Sequence, residues 1–271
     1  MGMRSHAARI PVVGPAARRA FGKQRWFPAE FADDEMDWRT YTRDYKSELV
    51  SIETEHTTRL RPGDAVVMDG RLTTTAGLLP LHPNHRLLYE TIGLLAPSSV
   101  LEAGCGGGDH LHNLSVLYPH IDLAGLDRAA GQLDLLRQRN AGIGHVVQEV
   151  DLTLPAPRAI RPRDLVFTQA VLMHIHTGNG HRVALSNLFS LAIKQVVLME
   201  HWLKHDFWSD VSKLQAAGVI AWPELHPYIR RAPELGDSPH LLVISAEPLD
   251  WEPLTDYDVL ASPLRSARGR A

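Results

Sequence analysis

The stretch Val100-Leu101-Glu102-Ala103-Gly104-Cys105-Gly106-Gly107-Gly108 decides how the rest of this chain is read. A short apolar run from Ser99 to Leu101 has the character of a buried strand. It ends in an acid, and a glycine-rich turn follows at once. Asp109 to Leu117 then reads as a helix with Leu111, Leu114 and Leu117 on one face. Strand, glycine turn and helix together form a nucleotide-binding element. Glycines admit positive φ and let a backbone approach a ligand closely, and the helix start behind them offers unpaired N–H groups.

Two glycine patterns compete for this turn. The dinucleotide fingerprint G-x-G-x-x-G is met at Gly104 and Gly106, but its third glycine would fall on Asp109. The run resembles instead motif I of the class I S-adenosylmethionine (SAM)-dependent methyltransferases, E/D-x-G-x-G-x-G. Glu102, Gly104, Gly106 and Gly108 occupy every fixed position of it. The bland alternative is a glycine-rich loop that holds no ligand.

Downstream signals come in the order this resemblance implies. Ile121 to Asp127 reads as a second strand ending in an acid. In nucleotide-binding α/β folds an acid at this place accepts hydrogen bonds from ribose hydroxyls. The competing reading makes Asp127 the N-cap of a helix from Ala129 to Asn140. His145 to Asp151 is a third strand. The resemblance puts an acid at its end on the adenine amino group, with the next N–H nearby, which points to Asp151 and Leu152. Asp151 could equally open the turn toward Pro155. Cys105 and Arg128, which adjoin the motif positions, and Gln169 complete the implied cofactor set.

Asp164 to Gln169 is a fourth strand, followed by Ala170 to His176. Gln195 to Glu200 is a fifth, which delivers Glu200, His201 and Trp202. Open α/β sheets bind ligands at strand C-termini, so these residues border the expected cleft. Helices are expected over Pro83 to Leu95 with Asn84 as N-cap, over Arg182 to Leu191, and over Val211 to Ala217 before Gly218. His226 to Arg230 and His240 to Ser245 suit the sixth and seventh strands, which the resemblance makes an antiparallel hairpin. The fold class is therefore α/β: a Rossmann-like seven-stranded sheet with helices on both faces over residues 84–250. An N-terminal extension, 1–83, precedes it and a tail, 251–271, follows.

The extension opens with Arg4, Arg9, Arg18, Arg19, Lys23 and Arg25 and no acid before Glu30. It reads as a basic arm, and Ile10 to Val13 is too short an apolar centre for a secretory signal. Trp38, Tyr41 and Tyr45 have helical spacing within Asp33 to Ile52. Ala65 to Met68 is a short strand before Asp69-Gly70. The resemblance implies that such a segment caps the active site.

The 271 residues are 44% hydrophobic, with a net charge of −3. That acidic balance speaks against nucleic acid as a partner. An RNA methyltransferase is further weakened because Thr168-Gln169-Ala170-Val171 stands where an Asn-Pro-Pro-Tyr type motif would be expected. No apolar run reaches the roughly 18 residues that span a membrane. The lone cysteine excludes an internal disulfide and suits a reducing, cytoplasmic setting. A homodimer is compatible with all of this.

Methyl transfer from SAM is an in-line displacement, so the protein's work is to align the acceptor and exclude water. An oxygen or nitrogen acceptor often needs a base, and histidine suits that role. His174, in Val171-Leu172-Met173-His174, lies where plant-type small-molecule O-methyltransferases carry theirs, although Ile175 and His176 depart from the His-Asp-Trp pattern. His201 is the second candidate. His205 in Lys204-His205-Asp206-Phe207 looks closer to that tripeptide but follows the wrong strand. His174 and His176 are two apart, which suits no shared helical face, so no metal site is expected. The resemblance thus implies a SAM-dependent methyltransferase of a small-molecule acceptor, with oxygen first, as in a secondary metabolite or sugar. N- or C-methylation comes next. The readings from other classes are a noncatalytic SAM-fold binding protein and a dehydrogenase, the latter weakened by Asp109.

Overall fold

The computed structural model describes residues 58–75, 81–140, 142–155, 159–175, 179–200, 205–232 and 241–255. The basic arm, the aromatic segment 33–52, His176, His201, Trp202 and the C-terminal tail from 256 lie outside them. The first elements are a hairpin, β1 (Ala65–Met68) and β2 (Arg71–Thr74). Asp69 and Gly70 join them with φ of 50° and 72°. Two positive φ values in a two-residue loop match the right-handed twist of the strands. β1 is the short strand expected over Ala65 to Met68, and its partner β2 was not expected. The second strand has one buried side chain, Leu72, and three residues that face outward or half outward, too weak an alternation to declare itself.

Helix α1 spans Pro83–Leu95 as expected, but its cap differs. His82 is the N-cap, and its Nδ1 accepts from Asn84 N at 3.2 Å. Proline at the first helical position loses nothing, because that N–H has no intrahelical partner, and this shifts the cap one residue before Pro83. Then follow β3 (Ser99–Ala103), α2 (Asp109–Leu117), β4 (Asp122–Asp127), α3 (Ala130–Arg139) and β5 (Val147–Glu149). The chain continues through β6 (Arg163–Gln169), α4 (Gly180–Leu191), β7 (Ala192–Met199), α5 (Phe207–Ala216), β8 (His226–Arg230) and β9 (Leu241–Ser245). The third strand of the sheet is shorter than expected, because Gly144–Val146 forms a 3-10 turn before it. Helix α5 begins earlier than Val211, because Asp206 caps it by accepting from Ser209 N at 3.1 Å.

Seven strands form one sheet in the order β5-β4-β3-β6-β7-β9-β8. All its pairs are parallel except those of β9, which runs antiparallel to both β7 and β8. The order reverses between β3 and β6, so a crevice opens beyond their C-terminal ends. Alternate residues build the two sides of the core. Val100, Leu165, Phe167 and Val197 meet Leu88, Ile92, Leu111 and Leu114 from α1 and α2. Leu101, Val166, Val196 and Leu198 meet Leu185, Leu188, Phe207 and Val211 from α4 and α5. A sheet covered on both faces needs apolar runs rather than alternation, which is why these strands were readable.

Candidate functional site

The turn between β3 and α2 has the conformation its glycines permit. Gly104, Gly106 and Gly108 take φ of 85°, 48° and 78°. A Cβ on Gly104 would lie 2.4 Å from Val171, and one on Gly108 would lie 2.5 Å from Leu136. Both therefore require glycine by conformation and by space. The N–H groups of Gly104 and Cys105 donate to Leu126 O at 2.7 and 2.9 Å, which lashes the turn to the end of β4. Cys105 is buried, and a Cβ on Gly125 would sit 2.9 Å from its sulfur. Its carbonyl accepts from Gly108 N at 2.9 Å, so Cys105 shapes the turn from below.

Two acids flank this turn. Glu102 is buried, and its Oε2 has no hydrogen-bond partner among the described residues. Burial, then the nearby carboxylates of Asp109 and Asp127, push its acid well above the ordinary range. Asp127 accepts from Gly106 N and Ala129 N, each at 2.8 Å. Burial raises its pKa, against these hydrogen bonds and the Arg128 charge beside it. Ala129 is the N-cap of α3 and lends no side-chain bond. Asp127 therefore stabilises both the motif turn and the approach to α3. Asp151 Oδ1 accepts from Thr153 N at 2.9 Å and from Thr153 Oγ1 at 2.6 Å, which makes it the turn-former toward Pro155. Leu152 is buried, and its carbonyl accepts from Asn187 at 2.8 Å.

Beyond β6 the chain turns sharply. Ala170 takes a positive φ of 54°, and Leu172–His174 forms one 3-10 turn with His174 as its last residue. Buried Glu200, just past β7, holds this turn. Its Oε1 accepts from Thr168 Oγ1 at 2.7 Å and from Val171 N at 3.0 Å. Its Oε2 accepts from Val171 N and Met173 N, each at 3.1 Å. Glu200 was expected to border the cleft, and its oxygens are committed to the chain that carries His174. Burial raises its pKa against these hydrogen bonds.

Three arrangements were not read from sequence. Asp109, which breaks the dinucleotide pattern, receives Arg139 at 2.7 Å and Arg59 at 3.3 Å. It ties the start of α2 to the end of α3 and to the segment before the hairpin. His181 at the start of α4 meets Asp210 of α5 at 3.0 Å, Arg182 joins the same carboxylate at 2.8 Å, and His205 stacks on His181 at 4.0 Å. Burial works to raise Asp210, but His181 and Arg182 hold it below its ordinary value. Last, His110 lies between Tyr89 at 2.8 Å and Gln169 at 3.3 Å, with the His85 ring edge-on at 4.8 Å. Among the described residues no three His, Cys, Asp or Glu side chains form a metal-holding group, and no helix is long and apolar enough to cross a membrane.

The buried histidines give a pH signature. Burial, then the neighbouring imidazoles, lower His85 from 6.5 to about 2. Below pH 6.5 the unfolded chain binds a proton that folded His85 refuses, so this residue's contribution to stability falls as pH falls. The stability gap between wild type and His85→Leu is expected to move in the variant's favour by about 2 kcal/mol in all between pH 7 and pH 5, the slope approaching about 1.4 kcal/mol per pH unit only well below 6.5. Urea unfolding of both proteins between pH 7 and pH 5 measures it. Parallel pH curves would refute a neutral buried His85.

No family model matches the chain. It is 35% identical over 85 residues to a trans-aconitate 2-methyltransferase of Methylobacterium nodulans, covering 31% of each protein. It is 31% identical over 108 residues to a trans-aconitate 2-methyltransferase of Paracidovorax citrulli, covering 40% of this chain and 39% of that one. The chain thus spans 31% and 39% of the length of these curated relatives. A TehB-like SAM-dependent methyltransferase from Corynebacterium glutamicum superposes with a TM-score of 0.50 at 17% identity, over 78% of this chain and 100% of that one, a likeness of fold. With the strand order and the motif turn already in place, these findings lead to one conclusion: the chain has the fold of a SAM-dependent methyltransferase and is similar over part of its length to curated methyltransferases.

Proposed function

We propose that the protein binds SAM over the turn Gly104–Gly108 and transfers its methyl group to the oxygen of a small-molecule acceptor. The observation that carries this reading is Glu102, a buried carboxylate with an unpartnered oxygen beneath a turn of three positive-φ glycines. A buried acceptor left unpaired is costly, and an ammonium group placed there would satisfy it. SAM carries such a group, and its sulfonium supplies the reactive methyl. Asp127 receives the ribose hydroxyls, with Arg128 beside it, and Asp151 and Leu152 border the adenine. Gln169 closes the methionyl side. His174, at the end of the turn held by Glu200, takes the proton of a hydroxyl acceptor, whereas a carboxylate acceptor arrives deprotonated and needs no base. Trans-aconitate, the compound named for the two curated relatives, is the first acceptor to assay. Residues 58–60 pack on α2, with Leu60 N donating to Asn113 Oδ1 at 2.8 Å, which fits an extension that reaches over the site.

Calorimetry with SAM, and with NAD as control, tests the cofactor. Asp127→Ala is expected to weaken SAM binding by about 1.5–3 kcal/mol, because a charged acceptor for two hydroxyls is lost. NAD binding without SAM binding would sink the methyltransferase reading. SAM binding without transfer to any acceptor would favour a noncatalytic binding protein.

A further inference from the structure

We infer that Gln169 is a hydrogen-bond donor at the crevice, its side-chain NH2 set to receive a carboxylate oxygen by a buried hydrogen-bond chain that begins at residues 58–60. Donors and acceptors along this chain are determined from one end. Leu60 N–H can only donate, and it reaches Asn113 Oδ1 at 2.8 Å. That orients the Asn113 amide, whose Nδ2 donates to Thr58 O at 2.8 Å and to Tyr89 Oη at 2.9 Å. The Tyr89 hydroxyl therefore accepts there, and its own proton points to His110 Nδ1 at 2.8 Å. Tyr89 is fully buried, so the opposite assignment would leave its proton without an acceptor among the described residues. His110 Nδ1 is then bare and the ring's single proton sits on Nε2. Nε2 faces Gln169 Oε1 at 3.3 Å. Burial holds His110 below its ordinary pKa and Tyr89 well above its own, so neither ring ionises to break the sequence.

Gln169 consequently turns Oε1 inward and leaves Nε2 with no partner among the described residues. It is the last residue of β6, and His110 stands in the first turn of α2, the helix that follows β3. These are the two strands between which the order reverses, the place where open α/β sheets hold their ligands. An NH2 donor there selects an oxygen acceptor and rejects an ammonium. Two sources supply such an oxygen: the donor's own carboxylate or a carboxylate on the acceptor molecule. The inference rests on the methyltransferase reading for the identity of those ligands, but not for the direction of the chain.

The test uses the full chain with S-adenosylhomocysteine (SAH), 5′-methylthioadenosine, which lacks the amino-acid carboxylate, and trans-aconitate. Gln169→Glu keeps an oxygen for His110 Nε2–H and replaces the outward donor with a negative acceptor. It is expected to weaken one carboxylate ligand at least about 10-fold and to leave 5′-methylthioadenosine within about twofold. Loss on SAH assigns the donor's carboxylate, and loss on trans-aconitate assigns the acceptor's. Gln169→Leu, which removes the donor without adding charge, should lose affinity for the same ligand. Unchanged affinity for both carboxylates in both variants would overturn the inference. Nitrogen NMR of the wild type provides the second readout: His110 protonated on Nε2 is expected, and a proton on Nδ1 overturns the chain of bonds. If SAH does not bind at all, the cofactor reading fails by itself. The Gln169 NH2 resonances titrated with trans-aconitate then decide the rest, and resonances that stay still reject the subsite.

Discussion

His174→Ala is expected to lower single-turnover methyl transfer roughly 10²–10⁴-fold at saturating SAM, the range of a lost general base. The reason is placement. β6 ends at Gln169, and the chain turns through Ala170 into the 3-10 turn that His174 closes. That turn packs Val171 over Gly104, so His174 belongs to the same rigid edge as the motif turn. SAM affinity should stay near wild type, because the proposed cofactor contacts are the turn and the acids of β3 and β4, and His174 is not among them. His174→Gln should be nearly as slow, since an amide keeps the polarity but cannot take a proton. With a hydroxyl acceptor, wild-type turnover should rise with pH, because only a deprotonated imidazole can act as the base. Near-normal rates in both variants would remove His174 from the mechanism and turn attention to His201, which lies outside the described residues.

Replacing Glu200 by leucine should destabilise the fold by about 3–5 kcal/mol, the scale seen when one partner of a buried charged group is removed. Leucine matches the bulk of the side chain, so the loss reports hydrogen bonding rather than a cavity. Three donors, Thr168 Oγ1, Val171 N and Met173 N, would lose their buried acceptor. The turn that carries His174 should loosen with them, so transfer should fall in the variant molecules that still fold. Glu200→Gln retains one acceptor oxygen and should cost less, because its NH2 would meet only one of the facing N–H groups. Chemical unfolding of both variants decides this: equal stability of Glu200→Leu and wild type would mean that water already serves those donors.

What this chain determined by itself is local. The apolar runs of β3, β4, β6 and β7 are continuous because both faces of the sheet are covered, so they could be recognised without their neighbours. The glycine spacing at 104, 106 and 108 required positive φ and close approach, which are properties of the residues themselves. The Asp69-Gly70 pair carried the same kind of signal for a hairpin, although polar β2 supplied too little apolar pattern to complete it. Tertiary structure alone decided which polar groups meet. Glu200 was placed at the crevice by the end of its strand, but only folding brings the N–H groups of a different loop to its oxygens. Gln169 became a donor only through His110, Tyr89 and Asn113, which lie on two helices distant from it in sequence. Asp109 serves as an anchor because Arg59 and Arg139 converge on it from opposite directions along the chain. Backbone conformation is written in neighbouring residues, whereas the role of a buried polar group depends on partners that only the folded chain places within about 3 Å of it.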